Sequence, residues 1–311
     1  MSPCWAPELL YASAYTAAGI EFLQKFRDST GGSVPIVQHF YDLLVLPEEE
    51  RSVGAMLADL ARHGTTFWAL TANMVETIER ISGVRPEVVF TLAADLAKSR
   101  SDEATPRQVE RPIRLAMVGN IWDARLLPAA CRLLARAQRV GAIDLPVTWF
   151  SHPSAMERLK NAGYACAPEI RNAGFAPNIP DSLRDFDMGL VVFNSSDEPE
   201  NSYARHSLPS RIMDFAACGL PILFLGGRRT AGGRLISEHG MGLVSPLQDE
   251  AGTVRHLEFV KAHPSKRSEM GRAGRQFALT HGNLSLIRQE LQARLRRVAN
   301  SLHSLPTSCS G

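Results

Sequence analysis

The sequence predicts an α/β protein with parallel sheets, arranged as two domains. Segments with the apolar pattern of buried strands alternate with helical segments along almost the whole chain, which is typical of parallel sheets joined by crossover helices. A charged stretch at residues 97–112, poor in apolar side chains and containing two prolines, separates two such series. The chain has 311 residues, which is enough for two domains of ordinary size.

The first series predicts a small domain over residues 1–97. Strands are predicted near residues 9–13, 34–40, 65–70 and 87–90. Helices are predicted between them, near residues 14–28, 48–62 and 72–82. Residues 98–112 form the predicted linker, where we expect limited proteolysis to cut first.

The second series predicts a complete nucleotide-type α/β sheet over residues 113–282. Strands are predicted near residues 113–119, 147–150, 188–193, 221–225 and 242–246. Residues 283–304 have the pattern of a long amphipathic helix, which we expect to pack back across the domains. Residues 305–311 are expected to be a frayed tail.

Composition narrows the classes of function. The 34 basic and 32 acidic residues leave a formal charge of +2, which gives no electrostatic case for a nucleic-acid partner. The five cysteines are scattered and form no C-x-x-C pair, so neither a disulfide framework nor a zinc site is predicted. These features are typical of a reducing cytoplasm.

Membrane insertion is not predicted either, because the longest uncharged apolar stretch, residues 215–227, is much shorter than a spanning helix. Contact with the inner membrane surface stays open, since four arginines of the last helix could touch anionic lipid. The alternative, which we prefer, is a solvated face on a packed helix. The four arginines are Arg288, Arg294, Arg296 and Arg297.

Several well-known motifs are absent from the sequence. It contains no G-x-x-x-x-G-K-[ST] phosphate loop, no G-x-G-x-x-G dinucleotide motif and no H-E-x-x-H zinc motif. The nine histidines are dispersed singly, so no metal site is expected. The functional signal therefore has to come from less common patterns.

One such pattern is the segment of residues 206–227, in which a base and an acid interrupt an apolar helix-then-strand pattern. Ser207 is the predicted helix cap, Pro209 suits the first turn, and Gly219 ends about three turns of helix. A buried strand follows and closes at Gly226 and Gly227.

The long polar loop before this helix predicts an anion site, because a helix N-terminus favours phosphate. Arg211 could add charged hydrogen bonds to that anion, and Asp214 could accept hydrogen bonds from ribose hydroxyls. The alternative is a solvated ion pair between Arg211 and Asp214, worth only about 0.2 to 0.5 kcal/mol.

A second pattern is Gly119, which follows a predicted strand and precedes a helix. A glycine at that point lets a ligand approach the backbone at the carboxyl end of the strand, where open α/β sheets bind their ligands. A tight strand-to-helix turn explains the same glycine equally well.

From residue 113 to about residue 297, the chain resembles the carboxyl-terminal half of GT-B glycosyltransferases, specifically the retaining family-four enzymes. The segments "LAMVGN", "FDMGLVVFNSS", "LPSRIMDFAACGLPILFLGG" and "LISEHGMGLV" look like the donor-binding half of that family. The resemblance implies two Rossmann-like domains, the first shortened and the second complete. It also implies that Arg211 binds the diphosphate of a nucleotide sugar and that Asp214 stands where a glutamate binds the ribose.

The donor-site residues that we carry over from this resemblance are Gly119, Asn120, Arg125, Asn194, His206, Ser210, Arg211, Asp214, Gly226 and Gly227. Four of them depart from the family pattern. The family often has a glutamate at the positions of His206 and Asp214, and an arginine at that of Asn120. Arg125 is an approximate substitute for the lysine that follows.

The first domain is similar only to the later part of the family's acceptor domain. The segment "SVPIVQHFYDLL" looks like its Pro-x-x-x-x-x-His-Asp-Leu strand, but Tyr41 occupies the histidine position. His39 lies two residues earlier, on the same face of the strand. We expect His39 and Tyr41 to face the donor sugar and, with Arg211, to be the catalytic residues, in a domain that lacks the family's opening strand.

The resemblance implies a glycosyltransferase of the retaining hexosyl type, which moves a sugar from a nucleoside diphosphate to an unknown glycan, lipid or small-molecule acceptor. No cofactor besides the donor substrate is expected, and no protein nucleophile is named. The alternatives are a non-catalytic protein that binds a nucleotide or a partner through the same fold, and a sugar-nucleotide epimerase.

Overall fold

The computed structural model describes residues 7–94, 96, 111–121, 123–161, 168–193 and 202–303. Its strands are β1 (Leu10–Ala12), β2 (Ile36–Phe40), β3 (Thr66–Ala69), β4 (Glu87–Val88), β5 (Leu115–Val118), β6 (Val147–Phe150), β7 (Ile170–Gly174), β8 (Met188–Val192), β9 (Ile222–Leu225) and β10 (Gly242–Ser245). Its helices are α1 (Ala17–Ser29), α2 (Glu50–Arg62), α3 (Ala72–Ser82), α4 (Leu127–Arg139), α5 (Pro153–Asn161), α6 (Ile179–Leu183), α7 (Ser202–His206), α8 (Arg211–Ala217), α9 (Ala231–Glu238), α10 (Glu250–Ala262), α11 (Pro264–Thr280) and α12 (Leu284–His303).

The chain divides into two units. Unit 1 comprises Met1–Thr91, Pro199–Ser207 and Ser285–Gly311, and unit 2 comprises Leu92–Glu198 and Leu208–Leu284. This division differs from the predicted continuous second domain over residues 113–282, because α7 belongs to unit 1. Helix α7 is joined to α3 of unit 1, because the Asn73 side-chain amide of α3 donates a hydrogen bond to the Arg205 carbonyl of α7 at 2.9 Å. The predicted linker, apart from its last two residues, and the predicted tail lie outside the described residues.

Unit 1 is built on a four-stranded parallel sheet in the order β1-β2-β3-β4. Strand β2 is buried throughout, as expected of a parallel strand covered on both faces. Helix α12 packs against this sheet through Leu291, Leu295 and Val298, which contact a core that includes Trp68. The spacing of these three residues places them on one helical face, so the amphipathic pattern of the last helix is explained by packing on unit 1.

Unit 2 is built on a six-stranded parallel sheet in the order β10-β9-β8-β5-β6-β7. The chain adds β6 and β7 on one side of β5 and then returns to add β8, β9 and β10 on the other. The strand order therefore reverses between β5 and β8, which pair in parallel. Open α/β sheets bind ligands at the carboxyl ends of the strands beside such a switch point, which directs attention to the residues just after β5.

All nine strands that the sequence predicts are present, and their bounds differ by a few residues at most. The sequence reasoning missed β7, an edge strand in which half-buried and exposed residues alternate. Its polar sequence, "IRNAG", lacks the apolar run that marks the buried strands. The chain forms no helix, within the described residues, that is long and apolar enough to cross a bilayer.

Candidate functional site

Arg211, the first residue of α8, lies against the turn that follows β5. Its Nη1 donates hydrogen bonds to the carbonyls of Val118 and Asn120, both at 2.7 Å. Helix α8 is held on the sheet because Gly189 of β8 leaves room for the Phe215 ring, which lies 2.4 Å from where a Cβ would stand. The guanidinium is thereby fixed at the carboxyl end of β5, beside the switch point of the sheet.

Gly119 is the residue over which the Arg211 guanidinium lies. Its φ is +76°, and a Cβ at this position would stand 2.4 Å from the guanidinium carbon, so only glycine fits. The turn is held by two hydrogen bonds: the Gly119 amide donates to the Phe150 carbonyl at 2.7 Å, and the Trp149 indole donates to the Gly119 carbonyl at 2.6 Å. Sequence reasoning missed Trp149, because its partner is 30 residues away in the chain.

Burial perturbs both ionisable groups of α8. It lowers the pKa of Arg211, against the opposing effect of Asp214, and it raises the pKa of Asp214, against that of Arg211. The structure describes both side chains and shows no ion pair between them. The alternative, a solvated ion pair of Arg211 with Asp214, therefore does not form. Arg211 is thus a half-buried cation whose Nη1 contacts two carbonyl oxygens, and within the described part of the chain its other donors remain for an anion.

The start of α8 differs from the prediction. The helix begins at Arg211 and runs for seven residues, because the Ser207 amide bonds back to the Tyr203 carbonyl and a separate helix, α7, ends there. The amides of Ile212 and Met213 already donate to the carbonyls of Pro209 and Ser210. So short a helix offers little dipole to an anion, and the Arg211 side chain has to supply the charge.

Other predicted donor residues have their own positions in unit 2. Arg125 is exposed and pairs with Asp123 at 2.8 Å, and Ser210 is exposed at the cap position of α8. Gly226 and Gly227 are buried after β9, two strands from β5, and the Gly227 carbonyl accepts from the Thr230 hydroxyl at 2.8 Å. Asn194 lies outside the described residues.

Comparison with known proteins identifies the fold. No protein-family model and no curated protein matches the sequence. Among solved structures, a glycosyltransferase from Rickettsia africae has a TM-score of 0.64 at 9% identity and is matched over 93% of this chain and 76% of its own. HepE from Anabaena, in complex with UDP and glucose, has a TM-score of 0.63 at 16% identity, and the match covers 92% of this chain and 78% of HepE. A trehalose 6-phosphate synthase from Burkholderia multivorans has a TM-score of 0.67 at 14% identity, and the match covers 94% of this chain and 72% of the synthase.

The chain has the GT-B fold. At these identities the likeness is one of architecture, and the two parallel sheets of the chain correspond to the two Rossmann-like domains of that fold. The predicted fold class is confirmed. Within the GT-B fold, the turn at Gly119 and the helix that begins at Arg211 both belong to the second sheet unit.

His39 and Tyr41 lie in unit 1 of the GT-B fold, in a hydrogen-bond chain with Tyr11. The Tyr11 hydroxyl is 2.8 Å from His39 Nδ1 and 2.7 Å from the Tyr41 hydroxyl, and His39 Nε2 is 3.1 Å from the Val89 carbonyl. A carbonyl only accepts, so Nε2 carries the proton and Nδ1 accepts from Tyr11. Burial lowers the pKa of His39 to about 4, which keeps the ring neutral.

His39 is enclosed within unit 1, and its expected position facing a donor sugar stays a prediction. The side chain has no exposed surface, and both ring nitrogens have partners within unit 1. The rings of His39 and Tyr41 are 4.3 Å apart, so the two residues do share a face. Tyr11 and Tyr41 are both half-buried, so both retain some contact with solvent.

His206 is also buried, in unit 1, with Nε2 2.8 Å from the Thr77 hydroxyl. It therefore helps to join α7 to α3, a role that sequence spacing alone does not reveal. Within the described residues, no three His, Cys, Asp or Glu side chains converge as a metal site requires.

Proposed function

We propose that this protein is a glycosyltransferase that moves a sugar from a nucleoside diphosphate sugar to an acceptor. Its donor would bind in unit 2, beside β5. The donor class is supported by HepE, whose structure contains UDP and glucose. The finer statements, that the enzyme transfers hexoses and retains the anomeric configuration, rest on the family resemblance of the sequence.

One observation carries the proposal: a half-buried arginine held at a glycine turn by two backbone carbonyls, at the switch point of a parallel sheet. Such a cation is fixed before a ligand arrives, because the Val118 and Asn120 carbonyls orient its plane. Arginine is suited to phosphate oxygens, since its planar group can donate two parallel hydrogen bonds.

In this proposal the main contribution of the protein to catalysis is electrostatic. When the bond between sugar and diphosphate breaks, negative charge develops on the leaving diphosphate, and a positioned Arg211 stabilises it. Gly119 and Trp149 act through Arg211 by fixing the turn on which it lies. Asp214, one turn further along α8, would accept hydrogen bonds from the ribose.

Arg211 would supply positive charge that a metal ion supplies in some other nucleotide sites. We therefore expect nucleotide affinity to be equal in EDTA and in magnesium. A titration of UDP under both conditions tests this, and a strong magnesium requirement would show that Arg211 does not act alone.

A non-catalytic binding protein is the second candidate. It is favoured by His206, which stands where the family often has a glutamate and is buried against Thr77. In that case the donor site would bind nucleotide without turnover.

Product analysis separates these functions. The full chain is incubated with UDP-, GDP- and ADP-sugars and a mixed panel of glycan and lipid acceptors, and the products are identified by mass spectrometry and NMR. Transfer supports the proposal, intact donor supports the binding protein, and a rearranged donor indicates an epimerase. Arg211→Ala should abolish transfer, whereas Arg272→Ala, an exposed arginine of α11, should not.

A further inference from the structure

Two arginines contact one aspartate, and a third interacts with it electrostatically, at the amino ends of β5 and β8 in the unit 2 sheet. Arg111 Nη2 donates to the Asp187 carboxylate at 3.0 Å, and the backbone amide of Arg114 donates to the same carboxylate at 2.9 Å. Arg267, from the first turns of α11, is coupled electrostatically to both Asp187 and Arg111. We refer to Arg111, Arg114, Asp187 and Arg267 as the arginine cluster.

Two arginines of the cluster keep buried donors that the protein does not use. Arg267 is only 8% exposed, and its Nη1 has no hydrogen-bond partner among the residues that the structure describes. The same is true of Nε and Nη2 of Arg114. Arg114 Nε lies 3.8 Å from the Asp187 carboxylate, which is beyond hydrogen-bond distance.

The charges of the cluster do not balance. Among the residues that the structure describes, the ion pairs of the cluster set two arginines, Arg111 and Arg114, against the single carboxylate of Asp187, and Arg267 adds a third guanidinium. Burial lowers the pKa of Arg267, with Asp187 opposing and Arg111 adding to that effect. Buried polar groups in proteins are nearly always hydrogen-bonded, so unsatisfied guanidinium donors at one place point to a missing anion.

We propose that the arginine cluster binds a phosphate group, carried by inorganic phosphate or by a phosphate monoester. The unpaired guanidinium donors of Arg114 and Arg267 need acceptors, and a tetrahedral oxyanion offers more acceptor oxygens than a single carboxylate does. The site is separate from the donor site, because it lies at the amino ends of β5 and β8, whereas Arg211 lies at the carboxyl end of β5. It does not depend on the proposed transferase activity.

The test is a calorimetric titration of the full chain with inorganic phosphate and with glycerol phosphate, at constant ionic strength set with chloride. Arg267→Gln removes the buried cation, and Arg272→Gln removes an exposed cation of the same helix. Arg211→Ala removes the donor-site cation. We expect Arg267→Gln to weaken phosphate binding by about tenfold or more, the scale of one charged hydrogen bond, and the other two variants to retain it. Tighter binding of glycerol phosphate would identify a monoester as the natural ligand, and equal binding would identify inorganic phosphate.

Three results would overturn the proposal. These are no phosphate binding by the wild-type chain, equal binding by wild type and Arg267→Gln, and loss of all phosphate binding in Arg211→Ala, which would place the phosphate at the donor site. Misfolding is controlled by Arg111→Gln, a change at a half-buried position that should also weaken binding. Thermal unfolding adds a second readout: phosphate should raise the Tm of wild type and leave that of Arg267→Gln unchanged.

Discussion

His39 in unit 1 and Arg211 in unit 2 are both polar side chains withdrawn from solvent, and they differ in how completely the protein satisfies them. The imidazole of His39 has one partner for each ring nitrogen. Among the residues that the structure describes, the guanidinium of Arg211 is held through Nη1, by two carbonyls that cannot neutralise its charge. A side chain whose hydrogen-bonding capacity is used up within the fold stabilises that fold, whereas one with capacity left over is available to a ligand.

Tyr11 and Asp214 differ in the same way, in how far the fold satisfies the buried polar group. Tyr11 is a link in a hydrogen-bond chain, and its pKa is raised by burial and by the neighbouring Tyr41 hydroxyl. Asp214 is half-buried, and its elevated pKa reflects burial that Arg211 only partly offsets. Substitutions in unit 1 should therefore affect stability, and substitutions around Arg211 should affect nucleotide binding.

The largest effect is expected from the titration of His39. Its pKa is 6.5 in the unfolded chain and about 4 in the folded one, so between these pH values the unfolded state binds more protons. The free energy of unfolding should fall by about 3 kcal/mol as the pH drops from 6.5 to 4. Urea unfolding at several pH values measures this slope in wild type and in His39→Gln. The glutamine variant should lack this part of the slope, and an unchanged slope would mean that His39 is not buried and neutral.

A change at the turn beneath Arg211 should affect both properties. Gly119→Ala places a methyl group against the guanidinium and a side chain at positive φ, which costs about 1 to 2 kcal/mol of stability. By displacing Arg211 it should also weaken nucleotide binding about tenfold. Gly174→Ala is the matched control, because Gly174 has a φ of +79° with no atom within 4 Å of the added methyl group. Equal nucleotide affinity in the two variants would remove the link between Gly119 and Arg211.

The hydrogen-bond chain predicts unequal effects of two similar changes. Tyr11→Phe removes the donor to His39 Nδ1 and leaves a buried acceptor unpaired, whereas Tyr41→Phe removes only the outer hydroxyl. We expect Tyr11→Phe to cost about 1 kcal/mol more than Tyr41→Phe in urea unfolding. Equal costs would show that the chain does not run through Tyr11.

The smallest effect is expected at Asp214. Asp214→Asn keeps one oxygen that can accept from a ribose hydroxyl, so nucleotide affinity should fall by less than about tenfold. Calorimetry with UDP and with uracil measures the effect. A loss as large as that of Arg211→Ala would mean that Asp214 mainly orients Arg211 and does not contact the ribose.

The sequence predicted most of the fold, because buried parallel strands are continuous apolar runs and their turns are marked by glycine and proline. It also identified Arg211 and Gly119 as site residues. It did not show that the Arg211 guanidinium packs on Gly119, since the two residues are 92 positions apart in the chain. The predicted start of α8 at Ser207 was wrong. The sequence shows a serine that could cap a helix, but it does not show that the Ser207 amide donates to the Tyr203 carbonyl at the end of α7.

The burial of His39 and the arginine cluster were beyond sequence reasoning for a common reason. A histidine on a strand face and an arginine in a helix are both usually exposed, and only the packing of distant segments shows otherwise. Arg267 interacts electrostatically with Asp187 and Arg111, which precede β8 and β5 and lie at least 80 residues earlier in the chain. No local sequence pattern predicts this interaction.

The central claim, that Arg211 binds the diphosphate of a nucleotide, is tested most directly by titrating UDP, GDP and ADP into wild type, Arg211→Ala and Arg272→Ala. Arg211→Ala should weaken nucleotide binding by about 1.5 to 3 kcal/mol, roughly 10- to 100-fold in Kd, with little change in the free energy of unfolding. Arg272→Ala should bind as wild type does. Equal nucleotide affinity in wild type and Arg211→Ala would contradict the account.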